Sequence, residues 1–117
     1  MTGDMLIIDG LQYVNWTRDL FEEAKAGGVN AIHVTIAYWE NTHETVANVG
    51  QWSRVFEEHS DLVSHVRQAE DILTAQREGK IGIIFGFQNC SPIEDDIRKI
   101  EMTVSYTHLT LPTTSRV

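Results

Sequence analysis

Residues 5–16, MLIIDGLQYVNW, decide how the chain is read. The apolar run 5–8 has the length and composition of a buried strand, and Asp9-Gly10 reads as the break at its end. Past that break stand an amide, a phenol, a second amide and an indole: Gln12, Tyr13, Asn15 and Trp16. Parallel α/β proteins gather their functional groups just beyond the carboxyl ends of strands. The first wall of a site is therefore expected here, with Asn15 and Trp16 capping and anchoring the helix that follows.

Outward from this stretch, residues 17–26 read as that helix. Trp16, Leu20, Phe21 and Ala24 fall on one side of it, and Arg18, Glu22, Glu23 and Lys25 on the other. Gly27-Gly28 stops it, because glycine turns out of a helix without steric cost. Residues 31–36, AIHVTI, are β-branched and mostly apolar, which predicts a second strand. A β-α-β order over about thirty residues implies a right-handed crossover and a parallel sheet. Asn41 and Glu44 have the spacing of a capping box. A helix is expected from there to about residue 59, with Val46, Val49, Trp52, Val55 and Phe56 inward.

Residues 61–66 fit either a short strand or a connector, and residues 69–78 a third helix closed by Gly79. Residues 80–87, KIGIIFGF, form the third predicted strand, apolar on both faces as a strand covered by helices should be. It delivers Gln88, Asn89 and Cys90 to the same end of the sheet as Gln12 and Tyr13. Ser91-Pro92-Ile93-Glu94 is the clearest local signal: an N-cap, a proline at the first helical position and an acid to complete the box. Ile93, Ile97 and Ile100 would mark the buried stripe of a fourth helix.

The chain has 117 residues, enough for one small domain with a core. Its formal charge of −8 argues against nucleic acid or anionic lipid as a partner. No apolar run nears the roughly 20 residues that cross a bilayer, and residues 1–4 carry no basic leader. The lone Cys90 excludes an internal disulfide and suits a reducing compartment. The expectation is an acidic, cytoplasmic α/β protein with a small-molecule substrate, no nucleic-acid partner and no membrane segment; a homo-oligomer is compatible with it.

Three βα units do not close a fold. A (β/α)8 barrel takes about 250 residues, and the third strand would leave an apolar edge open. Residues 1–103 are therefore expected to be the opening part of a larger, truncated barrel. Residues 104–117, VSYTHLTLPTTSRV, contain no acid and break the pattern. Residues 104–113 match what the end of a transposase-type sequencing adapter encodes when read in frame. They are expected to be non-native, in preference to a genuine β-rich tail built on Tyr106, Leu109 and Leu111.

IIDG closing the first strand, AGGVNAIHVT leading into the second and AEDILTAQREGKIGIIFGFQN running into the third together resemble the membrane (renal) dipeptidase family. That resemblance covers residues 5–103, about the first quarter to third of a member. It implies a (β/α)8 TIM barrel of the metallo-dependent hydrolase type, here its first three or so βα units. It also implies a zinc-dependent exopeptidase acting on dipeptides or related small amides. In that family the first strand ends in Asp-Gly-His-x-Asp, whose His and second Asp bind zinc, and the third in a glutamate that bridges two zinc ions. Here Leu11, Tyr13 and Gln88 stand at those positions. Leucine has no donor atom, a neutral carboxamide cannot hold two dications together, and a phenol ligates only as its anion, disfavoured by a normal pKa near 10. The resemblance thus implies zinc while these residues deny it three ligands, so no metal is expected on this stretch.

The pocket candidates are Gln12, Tyr13, Gln88 and Asn89. Gln88 either lines the pocket or plugs it with hydrogen bonds, and Tyr13 and Gln12 could join it in an uncharged network. His33 reads as a packed strand residue. His43, His59 and His65 share no metal-ligand spacing and read as surface residues. Asp95-Asp96 and Glu57-Glu58 read as solvated helix faces. Cys90 has no histidine partner in sight, and Gly82 and Gly86 lie inside a strand, not in a phosphate-cradling turn. Two functions follow: a dipeptidase-type hydrolase of which this chain is an inactive piece, or a small-molecule-binding barrel that kept the pocket and lost the metals.

Overall fold

The computed structural model describes residues 5–108. The elements alternate: β1 (Ile8–Gln12), α1 (Arg18–Ala26), β2 (Ala31–Ala37), α2 (Thr42–Glu58), β3 (Val63–Val66), α3 (Ala69–Glu78), β4 (Ile81–Phe87), a 3-10 turn (Ser91–Ile93) and α4 (Lys99–His108). All strand pairings are parallel, in the order β1-β2-β4-β3. The three predicted strands are thus neighbours in chain order. The ambiguous segment 61–66 supplies an additional short strand, which flanks β4 at the edge.

That edge position has a consequence for the layers. The chain steps from β1 to β2 and on to β3 in one direction, then back from β3 to β4. Right-handed crossovers put α1 and α2 on one face and α3 on the other. The packing agrees. Phe21 of α1 is buried with Ile32, Val34, Ile36, Ile83 and Phe85, and Trp52, Val55 and Phe56 of α2 pack against this cluster. Ala75 of α3 lies instead over Gly82, where a Cβ would sit 3.7 Å from the Ala75 methyl and 2.6 Å from a Val66 methyl. The carboxyl half of this second face carries His33, Thr35 and Gln88.

The caps explain where the helices begin and end. Thr17 Oγ1 accepts from the Leu20 N–H at the start of α1. Asn41 and Glu44 form the expected reciprocal box at the start of α2, so the exposed Gly50 does not interrupt that helix. At the start of α3, Asp71 Oδ2 accepts the N–H groups of Arg67 and Gln68. Gly79 ends α3 at φ 73°, a left-handed geometry open to glycine. Arg18 ties α1 to the approach to β3 through Asp61, 2.6 Å away, and this partner raises its already high pKa.

Three expectations need correction. The first strand runs Ile8–Gln12, not 5–8, and Asp9-Gly10 lie inside it. Pairing with β2 carries the strand forward: Ile8 sits opposite Ala31, Gln12 opposite Val34, and one extra β1 residue is absorbed in a bulge where Leu11 takes φ 36°. Met5, Leu6 and Ile8, expected to be buried, are exposed at the β1 edge. The signal at Ser91 gives a single 3-10 turn in place of a helix. Glu94 then turns at φ 55°, and α4 starts only at Lys99. Tertiary partners capture the box residues, since Glu94 accepts from the Thr42 N–H at 3.1 Å and pairs with Lys99 at 2.8 Å. Ile97 and Ile100 are correspondingly exposed, not a buried stripe. Third, His59 and His65 are half-buried: the His65 ring lies 4.4 Å from Phe85 and 5.2 Å from Phe56, and His59 meets Arg18 at 3.1 Å.

Helix α4 crosses the expected boundary at residues 103/104; residues 109–117, with Leu109 and Leu111, lie outside the described residues, as does the side chain of Tyr106. No helix among the described residues is long and apolar enough to cross a membrane.

Candidate functional site

The carboxyl ends of β1, β2 and β4 lie side by side, and a row of uncharged groups runs across them. Gln88 Nε2 donates to Thr35 Oγ1 at 2.9 Å, and the Thr35 hydroxyl donates onward to the Gln12 carbonyl at 2.7 Å. One hydroxyl, used as acceptor and donor, thereby links all three strands. The Gln12 side chain turns back, its amide donating to Asp9 Oδ2 at 2.6 Å. Residues on one face of a strand recur with period 2, so His33 lies on the same face as Thr35, one step toward the amino end. Its ring occupies the space that a side chain at 86 would fill, and only glycine leaves room for it.

The other candidates lie around this row. Leu11 sits half-buried in the bulge. Tyr13 is 63% exposed and meets Tyr38 edge-to-face with ring centres 5.2 Å apart; Tyr38 in turn stacks on Trp39 at 4.5 Å. Asn89 is used by the chain itself. Its Nδ2 donates to the Tyr38 carbonyl and its Oδ1 accepts from the Ser91 N–H, bracing the β2 and β4 loops against each other. The strand ends thus bring Gln12 and Gln88 together through Thr35, while Tyr13 stands in an aromatic group and Asn89 holds the loop.

Thr35, Tyr38, Trp39 and Glu40 were not anticipated. Alternation along AIHVTI puts His33 and Thr35 on one face, and that signal was available for Thr35. Glu40 is less conspicuous because it acts on its own loop. Its Oε1 accepts from the N–H of Tyr38 at 2.7 Å and of Trp39 at 3.0 Å. These donors, Tyr38 first, with help from the Asn48 side chain, hold its carboxyl below the ordinary glutamate range against the opposing effect of burial.

Two cavities adjoin the strand ends. One, of about 280 Å³, lies between the ends of β1 and β2 and helix α2, with Tyr13, Trp16, Glu40 and Trp52 among its walls. The other, of about 530 Å³, runs along the open side of β4 between Phe85 and Phe87 and the apolar residues Ile93, Ile100 and Val104. Neither has the donors of a metal centre: among the described residues no three His, Cys, Asp or Glu side chains are grouped to hold a metal ion. Leu11, Tyr13 and Gln88 do not fit a binuclear zinc site, and Gln88 already donates to Thr35. Cys90 is exposed. Asp96 pairs with Arg98 at 2.9 Å, which keeps its carboxyl ionised below the usual range.

No family model matches the chain, and no curated protein does. Among solved structures, a crystal structure described as an amidohydrolase from Pseudomonas aeruginosa superposes with a TM-score of 0.85 at 38% identity, over 90% of this chain and 32% of that one. The chain spans about a third of the length of that protein. This likeness supports a hydrolase family, and the chain has the fold of a βα segment of an amidohydrolase-type barrel.

Proposed function

We propose that this chain is the first part of a dipeptidase-like hydrolase barrel, acting on dipeptides or related small amides, and that it does not hydrolyse them by itself. The amidohydrolase likeness and the order and spacing of the dipeptidase-like segments support the hydrolase reading. The observation that carries the second half is that Leu11, Tyr13 and Gln88 occupy the expected ligand positions, with Gln88 already donating to Thr35, so these side chains do not supply the ligands that a metal-bound hydroxide would need. No catalytic step is assigned to zinc on these residues. The apolar groove along β4 and the exposed Ile97 and Ile100 favour further βα units, or another copy of the chain, as cover.

The same side chains favour one rival, a barrel that binds a small molecule without cleaving it. The gene beyond residue 103 separates the two. The hydrolase reading expects βα repeats to continue, with histidines and an acid at later strand ends. Uncharged residues at all of those ends would establish the binder. For the 117-residue chain, incubation with dipeptides and added zinc is expected to release no amino acids. Turnover there would overturn the assignment of inactivity.

A further inference from the structure

The cavity between the ends of β1 and β2 and helix α2 holds a charge that the chain leaves unbalanced. That charge is on Glu40, which stands in the wall with three aromatic residues, Tyr13, Trp16 and Trp52. The hydrogen-bonding demand of Glu40 is met from within. Its Oε1 accepts from the N–H groups of Tyr38 and Trp39, and the Asn48 side chain adds a further donor. Tyr38 first among them, these donors hold the carboxyl ionised below the ordinary glutamate range. All of them are neutral, and among the described residues no lysine, arginine or histidine forms an ion pair with Glu40. What the site lacks is positive charge, not another hydrogen-bond donor. Its aromatic residues point to the same kind of occupant, because aromatic rings attract cations through their quadrupole, quaternary ammonium groups above all. Tyr13, 63% exposed, has most of its surface open to such a contact.

We propose that this cavity binds a small, free quaternary ammonium compound, held by the charge of Glu40 and by the aromatic wall. Such a cation carries a full charge and has no N–H to donate, which suits a carboxylate already supplied with hydrogen bonds. A primary ammonium brings three N–H groups that need acceptors, and Oε1 already serves two donors. A volume of about 280 Å³ suits one molecule of that size. The compound has no amide to cleave, so it lies outside the substrate class of the hydrolase reading and does not rest on it.

The test is a proton NMR titration of the full 117-residue chain with choline, at ionic strength held constant with sodium chloride. The comparison is neohexyl alcohol, in which a quaternary carbon replaces the nitrogen and the charge is gone. The choline methyl resonance is expected to move upfield as the methyl groups meet the rings, and the alcohol to bind about tenfold more weakly or not at all. Glu40→Gln retains an oxygen for the Tyr38 and Trp39 N–H groups and is expected to weaken choline binding about tenfold. Tyr13→Leu, at an exposed position, is expected to weaken it about threefold, and the amide spectrum of each variant checks that the fold is kept. Phosphatidylcholine vesicles are expected to leave the chain in the supernatant on centrifugation. An unmoved methyl resonance, an equal response to the alcohol, or unchanged affinity in either folded variant would each overturn the proposal. Sedimentation with the vesicles would overturn the assignment to a free compound. None of these outcomes bears on whether the parent protein is a hydrolase.

Discussion

Single residues at the strand ends serve more than one element, and Gly86 shows how tightly. Its neighbour across the strands is the His33 ring, which lies where a β-carbon would go. Gly86→Ala must displace that ring or part β2 from β4, and overpacking of this kind costs about 1–3 kcal/mol. The expected result is a lower denaturation midpoint for Gly86→Ala and recovery of most of the loss when His33→Ala is added. A Gly86→Ala chain as stable as the parent would show that the ring moves aside freely. Thr35 is the corresponding polar case, since a single hydroxyl links Gln88 to the Gln12 carbonyl. Gln12 and Gln88 could be named from the sequence because both come shortly after apolar runs. Their link through Thr35 could not, because it depends on how β2 is placed between β1 and β4.

At the scale of elements, the β2-to-α2 connection is organised by acids that fold back on the backbone. Glu40 accepts from the Tyr38 and Trp39 N–H groups, and Glu44 from the Asn41 N–H. The Glu40 carboxyl is held below its ordinary value of 4.5 in the folded chain. A depressed pKa means that the unfolded chain binds the proton more readily. Its contribution to stability is therefore complete above the unfolded value and is lost as pH falls through the folded one. Glu40→Gln is expected to flatten the acid limb of the stability–pH curve relative to the parent, as read by chemical denaturation between neutral pH and the carboxylate range. Parallel acid limbs in the two proteins would remove Glu40 from this role.

The helices that were legible in the sequence share a feature: their caps lie within one turn, as Thr17, Asn41 with Glu44, and Gly79 do. Where the deciding partner is distant, local signals mislead. Ser91-Pro92-Ile93-Glu94 looks like a helix start, but Glu94 is held by Thr42 and Lys99, and the helix waits until residue 99. Asp9-Gly10 looks like a stop, yet the backbone of β2 keeps the strand paired as far as Gln12.

For the molecule as a whole, the placement of β4 between β2 and β3 sets both layers and site. It sends α3 to the face opposite α1 and α2, and it aligns Gln88 with Thr35. Three of the four strands and their parallel sense could be read from the alternation of apolar runs and helices. The reversal at β3 could not, because VSHV is too short to show its edge position by pattern alone. Among the exposed apolar residues are Met5, Leu6 and Ile8 beside β1 and Ile97 and Ile100 beyond β4. These are where further strands or a second chain would gain most by packing.

The proposed function rests on uncharged side chains, Leu11, Tyr13 and Gln88, at the positions where dipeptidase-like chemistry would need metal ligands. Equilibrium dialysis of the purified 117-residue chain against zinc, with metal counted per chain after exchange into metal-free buffer, tests it most directly. No zinc is expected to be retained in stoichiometric amount, and Gln88→Ala is expected to leave that result unchanged. Two zinc ions held per chain, lost on replacing Gln88, would contradict it.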